Sequence, residues 1–444
     1  SMKVILTLIS IICICLFLSS CVQMEWRGGM IPHLGLHSSP EKRSSPSPTE
    51  ANPLREITQN WSQFRGPQRD GNVPLPSAHK PFSGPPNLRW KTSCGAGHSS
   101  IITIGNLIIT LEQRGDSECL TARHLSDGSE IWEVSEPTRW NDMMSGEGPR
   151  STPTLANGKI YTLFSNGMLA CIDPINGTRI WQTKIIDKHY DFPEWGISSS
   201  PLIWKNMVIV NPGGEQHAVK SYSAQSGKLI WESSLSGRGV YLSPTIIKLL
   251  GEDQLITAVT GKIVSLNPRT GNTRWEKAWK IFLNNVQIVQ PIAISDNNFL
   301  LAAGYGKGAE CFSISRRRGK SSYLLDSLWK SKDLKAKFSN PVLKNGYLYG
   351  FSENLLVCME ASTGKLHWRG KKYGYGRILV CGEQLLILGN TGVLTVVDAN
   401  PENFNEVFSA PLLSNARCWN GPALVNGYLF ARNGEEIACF DLVE

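Results

Sequence analysis

A short pattern recurs through this chain: a polar turn closed by Gly, one or two polar residues, an aliphatic, then Trp. It reads DPINGTRIW ending at Trp181, DGSEIW at Trp132, SGKLIW at Trp231, TGNTRW at Trp275 and TGKLHW at Trp368. A degenerate copy ends at Trp329, Phe408 takes the Trp place in another, and NLRW ending at Trp90 has no copy before it. The intervals from Trp90 onward are 42, 49, 50, 44, 54, 39 and 40 residues. A period of about forty residues indicates a repeat array and fits one four-stranded propeller blade per unit.

The pattern has a physical logic. Asp173, Asn267, Asp398 and Asp441 each close a strand with a side chain able to accept a hydrogen bond from the backbone two residues on. Gly then supplies the positive φ of a tight hairpin. Trp is broad enough to wedge two sheets apart while its single N–H finds a carbonyl. Trp90, Trp132, Trp181, Trp231, Trp275, Trp329, Trp368 and Phe408 are therefore read as inter-blade core residues.

Each unit opens with a short strand bearing a polar residue and Pro, as in Ser151-Thr152-Pro153, Ser339-Asn340-Pro341 and Asn420-Gly421-Pro422. An alternating strand follows, then one with Cys or Ala, then the Trp strand, which makes four. Seven full units run from about residue 97 to 411, and Arg417 to Glu444 supplies three strands with no Trp strand. The strand ending at Trp90 is the missing fourth. The expectation is an all-β, eight-bladed propeller of four-stranded antiparallel blades, closed by its own N-terminal strand so that no blade is left open.

Ahead of the propeller (residues 59–444), residues 1–21 read as a signal peptide: Lys3, an apolar run from Val4 to Leu18, then Leu-Ser-Ser-Cys ending at Cys21. The run is short for a membrane span, and small residues before Cys resemble a lipobox. Lipidation is expected at Cys21, with export and anchoring to a bacterial membrane, facing periplasm or cell surface. Residues 22–58, rich in Ser and Pro, are expected to be a disordered tether. Cys119, Cys171, Cys311, Cys358 and Cys439 fall in the same strand of their blades and are expected to be inert core thiols. With no CxxC pair, neither zinc nor haem attachment is suggested. The net charge of +8 is dispersed apart from Arg316-Arg317-Arg318, so a solvated loop outweighs a nucleic-acid surface.

Two segments remain. Trp61-Ser62-Gln63-Phe64-Arg65-Gly66-Pro67-Gln68-Arg69-Asp70-Gly71 is expected to pack on one end of the propeller, its Arg and Asp forming an ion-pair network or touching a ligand. The inner strands crowd their N-terminal ends at one channel mouth, where Glu147, Arg150, Trp195, Asn340, Arg377, Trp419 and Asn420 are the candidate binding residues. Arg150 and Arg377 there suit an anion. Among the eight His, only His98 and His189 come near that mouth, and none shows metal-ligand spacing.

Strings such as LACIDPINGTRIW and LVCMEASTGKLHW resemble pyrroloquinoline-quinone (PQQ)-type propeller repeats over residues 87 to 444. WSQFRGPQRDG is similar to the segment that precedes the propeller in secreted PQQ-like repeat proteins. The resemblance implies one of two branches. Quinoprotein dehydrogenases of alcohols and sugars hold PQQ over a Ca²⁺ bound by Glu, Asn and Asp, with an Asp base and, in the alcohol-oxidising members, two adjacent cysteines. The other branch is non-catalytic and includes the lipoprotein of the outer-membrane β-barrel assembly machine. This chain has no Cys-Cys pair and no Asp in an inner strand. The preferred reading is therefore a non-catalytic, lipid-anchored and monomeric scaffold, without metal or cofactor, binding envelope proteins or a small anion. A PQQ- and Ca²⁺-dependent dehydrogenase is the alternative, with a carbohydrate-binding propeller behind it.

Overall fold

Apolar runs cut by Gly-bearing turns leave each repeat little choice but an antiparallel meander. The computed structural model describes residues 22–26, 32–36, 55–75, 80–186, 192–238, 241–282, 286–319 and 322–443. Among these lie eight four-stranded sheets, one per repeat. The first blade runs Ile102–Ile104, Leu107–Arg114, Ser117–His124 and Glu130–Glu136 from the channel outward. Six more follow in chain order to Pro411.

The eighth blade is composite. Ala423–Val425, Tyr428–Arg432 and Glu436–Asp441 are its inner three strands, and Asn87–Ser93 pairs antiparallel with the last of them. Trp90 stands opposite Cys439 in that pair, so the orphan strand completes the ring as expected. Arg432, fully buried, ties the seam. Its guanidinium donates to Thr110 Oγ1 (2.8 Å), Leu111 O (2.7 Å) and Gly95 O (2.7 Å) across the boundary with blade 1.

The tryptophans do what their size and lone donor suggest. Trp90, Trp132, Trp181, Trp231, Trp329 and Trp368 each donate Nε1–H to a turn carbonyl of the next blade, at 2.8–3.1 Å. Trp275 bonds Gln254 Oε1 of its own blade instead (2.8 Å). The reason lies in blade 5, whose third and fourth strands extend to Arg316 and start at Tyr323, which carries their turn beyond the indole's reach. In every blade a register shift falls at the residue before the Trp or Phe. This bulge turns the ring inward while Ile131, Ile180, Ile230 and Leu328 stay exposed.

Turn glycines fit beneath these rings. Gly227 has φ +70°, and a Cβ there would lie 2.6 Å from Trp181 Cε3. The buried side chains form clusters that each bridge two neighbouring blades, and one spans blades 7, 8 and 1 together with Trp61, Val73 and Phe82. The eight described cysteines are free, and all but Cys94 are buried. Cys171, Cys311, Cys358 and Cys439 face the Trp of their own blade. In blade 1 that place belongs to Ala122, with Cys119 three residues earlier.

The signal-peptide residues, Cys21, His37, His79 and His189 lie outside the described residues. Within the segment read as a tether, Val22–Trp26 pairs with Pro32–Leu36. Arg55, also assigned to it, is docked on blade 8, with Nη2 2.6 Å from Asp441 Oδ1 and its guanidinium 4.2 Å over the Tyr428 ring.

Candidate functional site

Residues 61–73 cross the channel and close one end of it. Trp61 exchanges hydrogen bonds with Thr103 of blade 1, and Leu155 N of blade 2 donates to Ser62 O. Arg69 donates to Ser200 O (3.2 Å) and Pro201 O (3.0 Å) of blade 3. Arg65 reaches Gln290 Oε1 of blade 5 (3.5 Å) and Pro341 O of blade 6 (2.9 Å), and Val73 N donates to Val380 O of blade 7. The expected ion-pair network is not what these residues make. Neither arginine pairs with Asp70; both satisfy carbonyls, chiefly those the inner strands turn to the channel and cannot pair themselves. Burial pushes Arg65 down to about 10, against the pull of Asp70, and Arg69 to about 9.

Above this plug lies a cavity of about 240 Å³, floored by Phe64 and open at the opposite mouth. Its wall follows the two-residue period of a strand. Counting back from the Pro before each inner strand (Ile101 and Ile378 take its place in blades 1 and 7), the third residue faces the cavity. It is His98, Arg150, Ser198, Tyr241, Ile288, Phe338 and Trp419 in blades 1 to 6 and 8. The first residue back lines it as well, in Ser100, Thr152, Ser243, Asn340 and Arg377. The second residue back points into the blade.

That alternation sorts the candidates. Arg150, Trp195, Asn340, Arg377 and Trp419 line one cavity. Asn420 occupies the second position and is fully buried, donating Nδ2–H to Gly97 O (3.1 Å) and Ser99 O (2.7 Å) across the closing seam. Glu147 sits on a small hairpin beside the mouth and pairs with Arg139 at 2.7 Å. Adjacent residues of a strand cannot face one cavity together, so Trp419 and Asn420 part company.

The two arginines differ in availability. Arg150 is buried, and its Nη2 pairs with Asp142 (2.8 Å) and bonds Ser145 Oγ and Gly146 O. It holds the 142–148 loop in place. Arg377 donates Nε–H to Trp419 O (2.8 Å) and Nη1–H to Phe338 O, with no carboxylate beside it, and burial pushes it down to about 10. Lys337 Nζ stands 4.7 Å over the Tyr305 ring and 5.2 Å over Phe338 and Tyr375; burial lowers its pKa. His98 bonds Ser145 O through Nε2 (2.6 Å). Burial and the Arg150 charge hold its imidazole well below the usual range, so it is neutral, with Nδ1 bare.

The aromatics stack in pairs. Trp419 lies 5.3 Å from Phe338 at 26°, and Trp195 lies 5.5 Å from Tyr241 at 25°. Sequence reading missed Tyr241 and Phe338, although both hold the position that Arg150 and Trp419 hold. Lys337, Tyr305 and Phe64 come from loops that no pattern ties to the mouth.

A quinone–calcium pair does not fit this wall. No lining residue is Asp or Glu, whereas Ca²⁺ takes carboxylate oxygens as its principal charged ligands. No group of three or more His, Cys, Asp or Glu able to hold a metal ion occurs among the described residues.

The family described as "Outer membrane protein assembly factor BamB" matches residues 87–192 and 189–369. The chain belongs to that family. The BamB of Salmonella typhimurium is 22% identical over 358 residues, which cover 66% of this chain and 80% of that protein. The crystal structure of BamB from Moraxella catarrhalis superposes with a TM-score of 0.52 at 14% identity, covering 74% of this chain and 95% of that one. The quinohemoprotein alcohol dehydrogenase of Comamonas testosteroni shares the fold at a TM-score of 0.59 and 12% identity, over 87% of this chain and 81% of that chain. The BamB family and the PQQ-type propeller are thus one architecture here, as the repeats implied.

Proposed function

We propose that this BamB-family propeller is a non-catalytic scaffold of the bacterial envelope, tethered by a lipid on Cys21, that engages envelope proteins through its open mouth. The observation that carries the reading is the make-up of that mouth. It is blind, lined by Arg150, Arg377, Lys337 and several aromatic rings, and free of the carboxylates a metal-assisted oxidation needs. Family membership points the same way, since the relatives are named for outer membrane protein assembly. A plugged, stapled ring is also a rigid body, which lowers the ordering cost of presenting a binding surface.

The test is capture of envelope proteins by the purified chain, with and without Arg377→Ala plus Trp419→Ala. Loss of capture by a folded double variant supports the mouth as the docking surface, and undiminished capture removes it. Reconstitution with PQQ and Ca²⁺ is expected to give no dye-linked oxidation of alcohols or sugars; sustained turnover would reinstate the dehydrogenase. Palmitate labelling that disappears in Cys21→Ala is the expected result for the anchor.

A further inference from the structure

Just inside the mouth, neighbouring blades are stitched by a belt of hydrogen bonds that all run one way. Gly421 N donates to Ser100 Oγ (2.8 Å), Ser100 N to Thr152 Oγ1 (3.0 Å), Thr152 N to Ser200 Oγ (3.0 Å) and Ser200 N to Ser243 Oγ (2.9 Å). Gln290 N likewise donates to Asn340 Oδ1 (2.7 Å). In each link the side-chain oxygen is the acceptor. A hydroxyl has one proton and an amide has its NH₂, so every stitched side chain keeps a donor in hand. Among the described residues no acceptor takes those hydroxyl protons or Asn340 Nδ2. Arg377 occupies the equivalent place in blade 7, and its Nη2 is without a partner among the described residues. Trp419 Nε1, one step above, is buried and unpaired.

The belt is thus a ring of donors with a guanidinium set into it, in a wall that carries no carboxylate. Unmet donors in a low-dielectric site are costly, and an anion relieves several of them at once through charge-assisted bonds. The space above is aromatic and the volume of about 240 Å³ suits one or two fused rings. The bare acceptor, His98 Nδ1, stands on that upper level and not in the belt.

From this we propose that the mouth is a metal-independent site for a small aromatic carboxylate, the carboxylate against the belt and Arg377, the ring between the Phe338–Trp419 and Trp195–Tyr241 stacks. The site rests on the reading of the mouth as a binding surface. Its ligand, unlike a calcium-held quinone, needs no divalent ion, because the belt replaces the cation.

The experiment is calorimetric titration of the full chain with 2-naphthoate in EDTA, beside the neutral isostere 2-naphthalenemethanol and inorganic phosphate. Saturable naphthoate binding, at least ten-fold tighter than the alcohol, is expected, with phosphate weaker still. Asn340→Asp keeps the oxygen that accepts from Gln290 N–H but puts a negative charge in the belt, and should weaken naphthoate at least a hundred-fold. Arg377→Lys keeps the charge and loses the planar fork, for roughly a ten-fold loss. Trp419→Phe keeps the ring and removes the spare N–H, giving a smaller loss and a check should Asn340→Asp fail to fold. Binding that needs Ca²⁺, equal affinity for the alcohol, tighter phosphate, no wild-type binding, or a folded Asn340→Asp that binds normally would each overturn the site. Naphthoate binding without capture of any envelope protein would sink the scaffold reading alone; capture without naphthoate binding would sink this site alone.

Discussion

Gly227→Ala tests whether the indole wedge holds the ring together. Gly227 has φ +70°, and an added Cβ would meet Trp181 Cε3 at 2.6 Å and Cδ2 at 2.8 Å. Gly158, in blade 2, has φ +69° with nothing within 4 Å of the same Cβ, which makes it a matched control. Left-handed backbone costs an L-residue about 1–2 kcal/mol, partly offset because Ala has the less flexible unfolded chain, by about 0.4–1 kcal/mol. Gly158→Ala should therefore destabilise by about 1 kcal/mol. Gly227→Ala adds a clash with a rigid ring. Either the core is overpacked, at about 1–3 kcal/mol, or Trp181 swings out and loses its 2.9 Å bond to Ala224 O, at about 1 kcal/mol plus lost burial. The gap between the two variants should reach about 2–3 kcal/mol. Urea unfolding gives the comparison, and hydrogen exchange should place the added opening at the blade 2–blade 3 boundary. Equal destabilisation of the two variants, or a loss spread evenly round the ring, would refute the wedge argument.

Arg432→Met should loosen the seam, since Leu111 O and Gly95 O lose their buried donor. A cost of about 2–4 kcal/mol is expected, read as faster amide exchange in residues 87–95. Glu118 should give stability a pH dependence near neutrality. Burial lifts its carboxyl to about 7 from an ordinary value of 4.5, against the pull of Ser165 and Arg150. The folded state then holds a proton that the unfolded state has lost between those values, so this group's contribution is full below about 4.5 and lost as pH rises to 7. The full swing is at most about 3 kcal/mol, and Glu118→Gln should flatten the slope in unfolding midpoints measured across pH 5–8. The buried thiols, pushed up by burial to about 12 in Cys358 and Cys418 and higher still in Cys439, should resist a thiol reagent at pH 8 until denaturant is added; prompt reaction of Cys171 or Cys358 would show that the blade boundaries open.

The blade count was legible because one residue type answers a recurrent geometric need. A wedge-shaped gap between radiating sheets must be filled once per repeat, and only an aromatic fills it, so even Trp329 in a degenerate unit and Phe408 in place of Trp keep the beat. The mouth was legible only in outline. Its segments were identified, but choosing Trp419 and Asn420 together overlooked the strand alternation that sends Asn420 into the seam. Tyr241 and Phe338 carried the same positional signal as Trp419, third before the Pro, and went unread because that offset was not followed from blade to blade. Glu147 lies on an added hairpin outside the blades and Lys337 on a loop, where the repeat pattern says nothing of direction. The plug arginines were misjudged for another reason. Their partners are main-chain carbonyls, which every residue possesses and no side-chain pattern announces.

The strap from Arg55 to Val73 and the strand around Trp90 bear on how the molecule is made. Both emerge early in synthesis, yet their anchorages are scattered through residues that emerge later, up to Asp441 for Arg55 and Cys439 for Trp90. Each blade can pair its own neighbouring strands as it appears, but the circle can only be locked once the ribosome has delivered the far end. Until that moment both pieces lack part of their anchorage, with blades 1 and 2 already in place to receive them, and the slow, long-range step of assembly is postponed to the end.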